Sequence, residues 1–252
     1  MPDSLRPLAS ESTRPVSPLH MPIKRRSFFM YAGATASAAA LILAGCSDDA
    51  ETPAASVNVG LGTGDASVLN YAYALEQLEA AFYAKVVAAG AATGLSTAEL
   101  SYFIRVAKHE AIHRDFLQAA ISRDFAGSLL PTLTFNFDSI NFGKRAKDPA
   151  DAKPGILDAA KAFEDLGVAA YNGAAKLLKG AAYVAIAGQI VSVEARHAAL
   201  MRDLLLPGSF AAADQVDATG FDKQMKPADV IIEVNKYLDA NTIQLDVSTI
   251  GQ

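Results

Sequence analysis

Apolar residues recur at helical spacing along four long stretches of the chain. Asp65 is suited to cap the first, after which Val68, Leu69, Ala72, Leu75, Phe82, Val86 and Val87 mark one helical face. Gly90 and Gly94 end it. Ser96-Thr97-Ala98-Glu99 reads as a capping box that opens a second helix, running to about Arg123. A third is expected from near Pro154 to about Gly180, and a fourth from Ala181 to about Leu206, where Pro207-Gly208 stops it. Between the second and third lies an excursion over residues 124–152, longer than the ~12–15 residues a structureless loop normally reaches. Within it Thr134-Phe135-Asn136-Phe137 alternates as a short strand would. Pro227 can open a fifth, shorter helix to about Leu238, with Val230, Ile231, Val234 and Tyr237 as its apolar face. Four long helices joined by a short turn, a long crossover and another short turn predict an all-α four-helix bundle, its crossover between helices 2 and 3.

Composition agrees. Of 252 residues 51% are hydrophobic and 19% charged, which excludes a disordered chain and predicts a real core. The net charge of −5 argues against nucleic acid as a partner. The lone Cys46 excludes a disulfide framework, and alanine enrichment without tryptophan suits closely packed helices.

Residues 1–45 stand apart. Lys24, Arg25 and Arg26 form a basic patch, and residues 28–44 then carry no charge. This run is short for a membrane span, which needs about 20 residues, and is followed by small residues, the order found in export signals. Arg25-Arg26-Ser27-Phe28-Phe29 resembles a twin-arginine signal, and Leu43-Ala44-Gly45-Cys46 resembles a bacterial lipoprotein box. Those resemblances imply an exported periplasmic or outer-surface lipoprotein, held to a bacterial membrane by lipid on Cys46. Met21 stands as an alternative start, because residues 1–20 match nothing in a signal. Without residues 1–45 the chain has 17 basic and 25 acidic residues, a net charge of −8. Residues 46–64, rich in Ser, Asp, Pro, Ala and Gly, read as a flexible tether. The bundle occupies 65–206, and 207–252 is a C-terminal extension carrying the short helix.

The polar residues on the apolar faces carry the chemistry. Glu76 lies on the stripe of the first helix with Tyr83 two turns on, and Glu164 is followed by Tyr171 at the same spacing in the third. The second helix carries Glu110-Ala111-Ile112-His113 and the fourth Glu194-Ala195-Arg196-His197. The two halves therefore repeat each other. Residues i and i+3 are neighbours on a helix, so each Glu-x-x-His sets an oxygen beside a nitrogen donor. Four carboxylates and two imidazoles suit two iron or manganese ions bridged by carboxylates. Three histidines and eight glutamates follow residue 45, so two such pairs arise by chance about once in two hundred.

These segments, together with Leu69 to Tyr83, Glu164 to Tyr171 and Val193 to Arg202, resemble the ferritin-like superfamily, more narrowly the branch of desiccation-related proteins. The resemblance implies a di-metal centre, usually of iron, that reacts with dioxygen or peroxide or oxidises ferrous iron. By position it makes Glu76, Glu110, His113, Glu164, Glu194 and His197 the metal ligands. Tyr83 and Tyr171 could hydrogen-bond those carboxylates or pass electrons; either could equally be a structural tyrosine with a polar partner. Glu79 also lies on the inner arc, and its counterpart in the repeat is Gly167. It reads as an alternative ligand, a hydrogen-bond partner of a ligand, or a surface residue.

Other functions compete. The bundle itself could be the function, a non-catalytic stress or desiccation protein of the envelope. His109-Glu110-Ala111-Ile112-His113 also satisfies the H-E-x-x-H zinc protease motif, though that leaves the second Glu-x-x-His and both tyrosines unexplained. A 24-subunit storage cage would be crowded by the tether, crossover and extension, so a monomer or small homo-oligomer is expected.

Overall fold

A computed structural model describes residues 57–239 and 243–252. The expected export signal, Cys46 and residues 46–56 of the expected tether lie outside the described residues. Helix α1 spans Gly64–Ala89, α2 Thr97–Asp124, α3 Ile156–Ala174, α4 Ala181–Leu205 and the short α5 Pro227–Asn235. They form the expected bundle: α1 packs along α2, α3 along α4, and α1 meets α3 across the middle.

Local signals explain most of the boundaries. The capping box at Ser96 is formed, with Glu99 N–H donating to Ser96 Oγ and Ser96 N–H to Glu99 Oε2. Glu99 also accepts from Arg145, whose guanidinium donates to the Leu204 carbonyl near the end of α4. Arg145 holds the Glu99 carboxyl below its usual range. Asp65 does not cap α1, where Thr63 takes the cap position. Its carboxylate accepts instead from the backbone N–H groups of Lys179 and Gly180, where the chain enters α4. Those amides lack helical partners, so a carboxylate there is as favourable as at the helix it begins.

The residues flanking the bundle are more ordered than their composition suggests. Val57–Gly60, read as part of a tether, is strand β1, paired in parallel with β2, Ile243–Asp246. Leu61 and Leu245 are buried beside this pair, which gives the polar segment an apolar reason to dock. The expected strand at 134–137 reduces to one bridge, Phe135 with Leu238. Its alternation is real, with Leu133 and Phe137 buried, but what they bury against is the bundle, not a sheet.

The crossover straps α1 from outside. Asn70 Nδ2 donates to the carbonyls of Leu61 and Ser128, and its Oδ1 accepts from Leu130 N–H. Seven residues on, Gln77 Oε1 accepts from Leu133 N–H. Phe137 and Phe142 then pack on Phe82. Every residue from Ala66 to Ala80 is therefore buried. Asn70→Ala should cost about 3 kcal/mol, because it strands buried backbone groups as well as removing bonds. Urea unfolding would read this, and a loss below about 1 kcal/mol would deny the strap its role.

One close approach fixes the C-terminal extension. Met225 N–H donates to the Ala169 carbonyl, and its own carbonyl passes so near Gly173 that any side chain there would collide with backbone.

Candidate metal centre

The repeat places equivalent residues face to face. Tyr83 Oη donates to Glu164 Oε1 and Tyr171 Oη to Glu76 Oε1, each at 2.5 Å. Two such crossed pairs require α1 and α3 to run antiparallel where they meet. Between them Glu79 faces Gly167, where a Cβ would lie 2.8 Å from Glu79 Oε1. The glutamate occupies room that its own counterpart leaves by having no side chain.

Helices α2 and α4 add Glu110 and His113, and Glu194 and His197. All four core glutamates are fully buried and His197 is 5% exposed. Their donor atoms form two groups, Glu76, Glu110, His113 and Glu194, and Glu110, Glu164, Glu194 and His197. His113 Nδ1 lies 2.8 Å from Glu194 Oε1, 3.4 Å from Glu110 Oε2 and 3.5 Å from Glu76 Oε2. His197 Nδ1 lies 2.9 Å from Glu110 Oε1 and 3.6 Å from both Glu164 Oε2 and Glu194 Oε2. Glu110 and Glu194 thus each give one oxygen to either group.

These are ion-pair distances for charged imidazoles, yet none of the approaches has the geometry of a hydrogen bond. Among the described residues ten buried side-chain atoms lack a hydrogen-bond partner. Eight are Glu76 Oε2, Glu164 Oε2, both oxygens of Glu110 and Glu194, and the two Nδ1 atoms. Orphaned buried polar atoms are rare and costly, and eight converging on two points need an explanation. Donors about 2.1 Å from a shared cation and ~90–110° apart lie roughly 3.0–3.4 Å from each other. The observed spacings, 2.8–3.6 Å, lie within about 0.2 Å of that range, so these residues could hold metal with four donors in each group. The tyrosines satisfy one oxygen of each outer glutamate, which leaves a single free oxygen there and two on each shared glutamate.

The electrostatics agree. Burial first, then the charge of Glu194, pushes Glu76 up to about 8. Glu164 and Glu79 stand well above the carboxylate range, again chiefly through burial. Burial opposes charge on the imidazoles, but the carboxylates around them win and push His113 and His197 up to about 12. Burial would likewise raise Glu194, but the two imidazoles bring it down to about 2. Both tyrosines stay protonated, raised well above their usual value by burial and by the glutamates they serve. They remain donors.

For two residues the structure narrows what the sequence left open. Glu79 is 2% exposed, which removes the surface reading, and it belongs to neither donor group. The repeat could have shown this, since Gly167 was its counterpart. His109 also stands outside both groups, and its Nδ1 meets His197 Nε2 at 2.9 Å. It therefore orients the ring of His197 from behind, a role that fixes which nitrogen faces the glutamates. The two imidazoles of the H-E-x-x-H motif do not converge on one point. No sequence signal revealed the His109 contact, because it depends on the axial offset of α2 against α4. Arg202 is buried too and pairs with Asp165 and Asp214.

Comparison with curated proteins gives no match. The sequence model of one family, the ferritin-like domain, matches residues 64–207, from the first residue of α1 to just past α4. That match covers more than half of the chain and coincides with a four-helix bundle closed around carboxylates and imidazoles, and the chain belongs to the ferritin-like domain family.

Proposed function

We propose that the protein is an exported di-metal protein that holds two iron ions, or manganese in their place, and performs redox chemistry with dioxygen or peroxide, or on ferrous iron. The observation that carries this reading is the division of eight orphaned donor atoms into two groups of four that share Glu110 and Glu194. Glu76 and His113 would complete one position, and Glu164 and His197 the other. Iron or manganese held by these residues would supply the electrons for reducing dioxygen or peroxide. The chain's part is to orient and exclude: Tyr171 and Tyr83 fix the free oxygens, His109 fixes His197, and buried helices keep water from the donors.

Metal content per chain, measured on protein exported by its own signal, tests the reading. Two iron or manganese ions are expected, with His113→Ala and His197→Ala each abolishing metal-dependent oxidation. One zinc ion or no metal would overturn it, and the latter would favour a non-catalytic bundle.

Uptake should also release protons. The imidazoles hold theirs up to about 12 and Glu76 up to about 8, whereas ligands must be deprotonated. The metal-bound state carries fewer protons, so raising pH favours it and acid favours release. Glu164, well above the carboxylate range, gives up a proton too, so on the order of three to four protons per chain should appear on loading at neutral pH. Titration in weakly buffered solution measures this, and a release near zero would contradict the protonated cluster.

Localisation rests on the sequence. No helix among the described residues is long and apolar enough to cross a membrane; the tether proposed is lipid on Cys46, carried by the resemblance of residues 43–46 to a lipoprotein box. Cys46→Ser should release the protein from the membrane fraction, and retention would overturn the anchor. Sedimentation should give a monomer or small homo-oligomer.

A further inference from the structure

On one flank of the centre the bundle is not filled. A cavity of about 20 Å³, as available to the centre of a water-sized sphere, lies between all four helices and is walled in part by Tyr171. Its inner wall includes Tyr71, Leu75 and Leu117, each at most 2% exposed, and its outer wall the half-buried Leu178, Tyr183 and Ile186. It therefore leads from near the surface to the tyrosine that holds Glu76.

The repeat explains why the void exists. In the register that aligns Glu110 with Glu194, the cavity residue Ala187 corresponds to Phe103. In the register that aligns Glu76 with Glu164, Ala174 corresponds to Val86. Phe103 and Val86 are fully buried, and the Phe103 ring packs 5.6 Å from that of Tyr83. The Tyr83 flank is plugged, whereas the Tyr171 flank has alanine at both positions. Tyr71 runs against the trend, facing Ala159 in the repeat, but it stands in the wall and leaves the space open.

The lining decides what can enter. Tyr171 Oη is committed to Glu76 and Tyr183 Oη to Asp124. Only Tyr71 Oη, buried without a hydrogen-bond partner, is left among the tyrosine hydroxyls of the wall. A buried water wants two to four polar partners, so this space suits a small apolar molecule better. Hydrogen peroxide, with two donors and four lone pairs, fits it worse still.

We propose that this cavity binds dioxygen and delivers it to the centre from the Tyr171 side. The proposal rests on the redox reading above and narrows it, naming dioxygen, not peroxide, as the oxidant that enters here. The unplugged flank makes the two donor groups inequivalent: only the one containing Glu76 and His113 adjoins the entry.

Xenon tests occupancy independently of any reaction, because it fills dry apolar cavities. Pressurised with xenon, the wild-type protein should bind one atom against Tyr71, Leu75 and Tyr171. Ala187→Phe, which copies the plug of the other half, should exclude it while leaving metal content unchanged. In the metal-loaded protein the same substitution should raise the apparent KM for dioxygen about fivefold, with kcat and any peroxide reaction unaffected. Ala174→Val is a milder plug that serves if the phenylalanine variant does not fold. No xenon in the wild type, or an unchanged dioxygen dependence in a plugged variant that excludes xenon, would overturn the proposal. A protein that takes up xenon and binds two ions but reduces peroxide and leaves dioxygen alone would overturn the delivery role and keep the redox reading; one that reacts with neither would overturn both. One that consumes dioxygen without binding xenon would overturn the cavity alone.

Discussion

Glu194→Ala is expected to empty both metal positions, whereas His113→Ala should spare the one formed by Glu110, Glu164, Glu194 and His197. The difference follows from how the oxygens are divided. Glu194 Oε1 lies 2.8 Å from His113 Nδ1, and Oε2 lies 3.6 Å from His197 Nδ1. Removing the side chain takes one donor of four from each group. It also leaves both imidazoles without the carboxylate that stands between them, and Glu194 is the glutamate they hold lowest, at about 2. Even a group that merely orients a ligand is worth about 10–100-fold in metal affinity, so loss of a shared ligand should exceed about 100-fold at both positions. Glu194→Gln, which keeps the volume and one oxygen, should fall between. Equilibrium dialysis with ferrous or manganous ion would give near zero ions for the alanine variant and one for His113→Ala. An alanine variant that still held one ion as tightly as the wild type would show that Glu194 serves a single position.

The sequence carried the cluster because the chemistry is written twice. Glu-x-x-His on α2 and α4, and Glu with Tyr seven residues on in α1 and α3, fix four helical faces without any knowledge of packing. That Tyr83 would meet Glu164, and Tyr171 would meet Glu76, needs the antiparallel crossing of α1 and α3, which no local pattern specifies. The same limit hid His109. A histidine one residue before a ligand points away from its own helix's cluster, and only the neighbouring helix decides what it meets. Helix α1 was legible as a helix but not as a wholly buried one. Asn70 and Gln77 look like solvated positions until the crossover lies over them and takes its backbone hydrogen bonds from their amides. Strand β1 failed to show for a related reason: its partner, β2, lies more than 180 residues away in sequence.

Chelation of the metal should lower the midpoint of thermal unfolding by about 20 °C at neutral pH. The polypeptide alone buries five glutamates, Glu76, Glu79, Glu110, Glu164 and Glu194, each at most 2% exposed. It tolerates three of them by retaining protons, with Glu76 raised to about 8 and Glu79 and Glu164 well above the carboxylate range, and Glu194 by setting its charge against the two imidazoles. Bound cations would replace the protons of Glu76 and Glu164 and satisfy the eight orphaned donors. A ligand that binds only the folded state at about 1,000 times its Kd adds ~4 kcal/mol, hence ~8 kcal/mol for two. In a domain of this size each kcal/mol moves the midpoint by roughly 2–4 °C. The pH dependence has a definite sign. The metal-free fold binds more protons than the loaded one, so acid stabilises it relative to the loaded form and the gap should narrow from pH 7 to pH 5. Calorimetry with and without chelator at both values measures it. A midpoint unmoved by chelation, with loss of metal verified on the same sample, would mean that the bundle holds its core without the ions and that the orphaned donors are stabilised by protons alone.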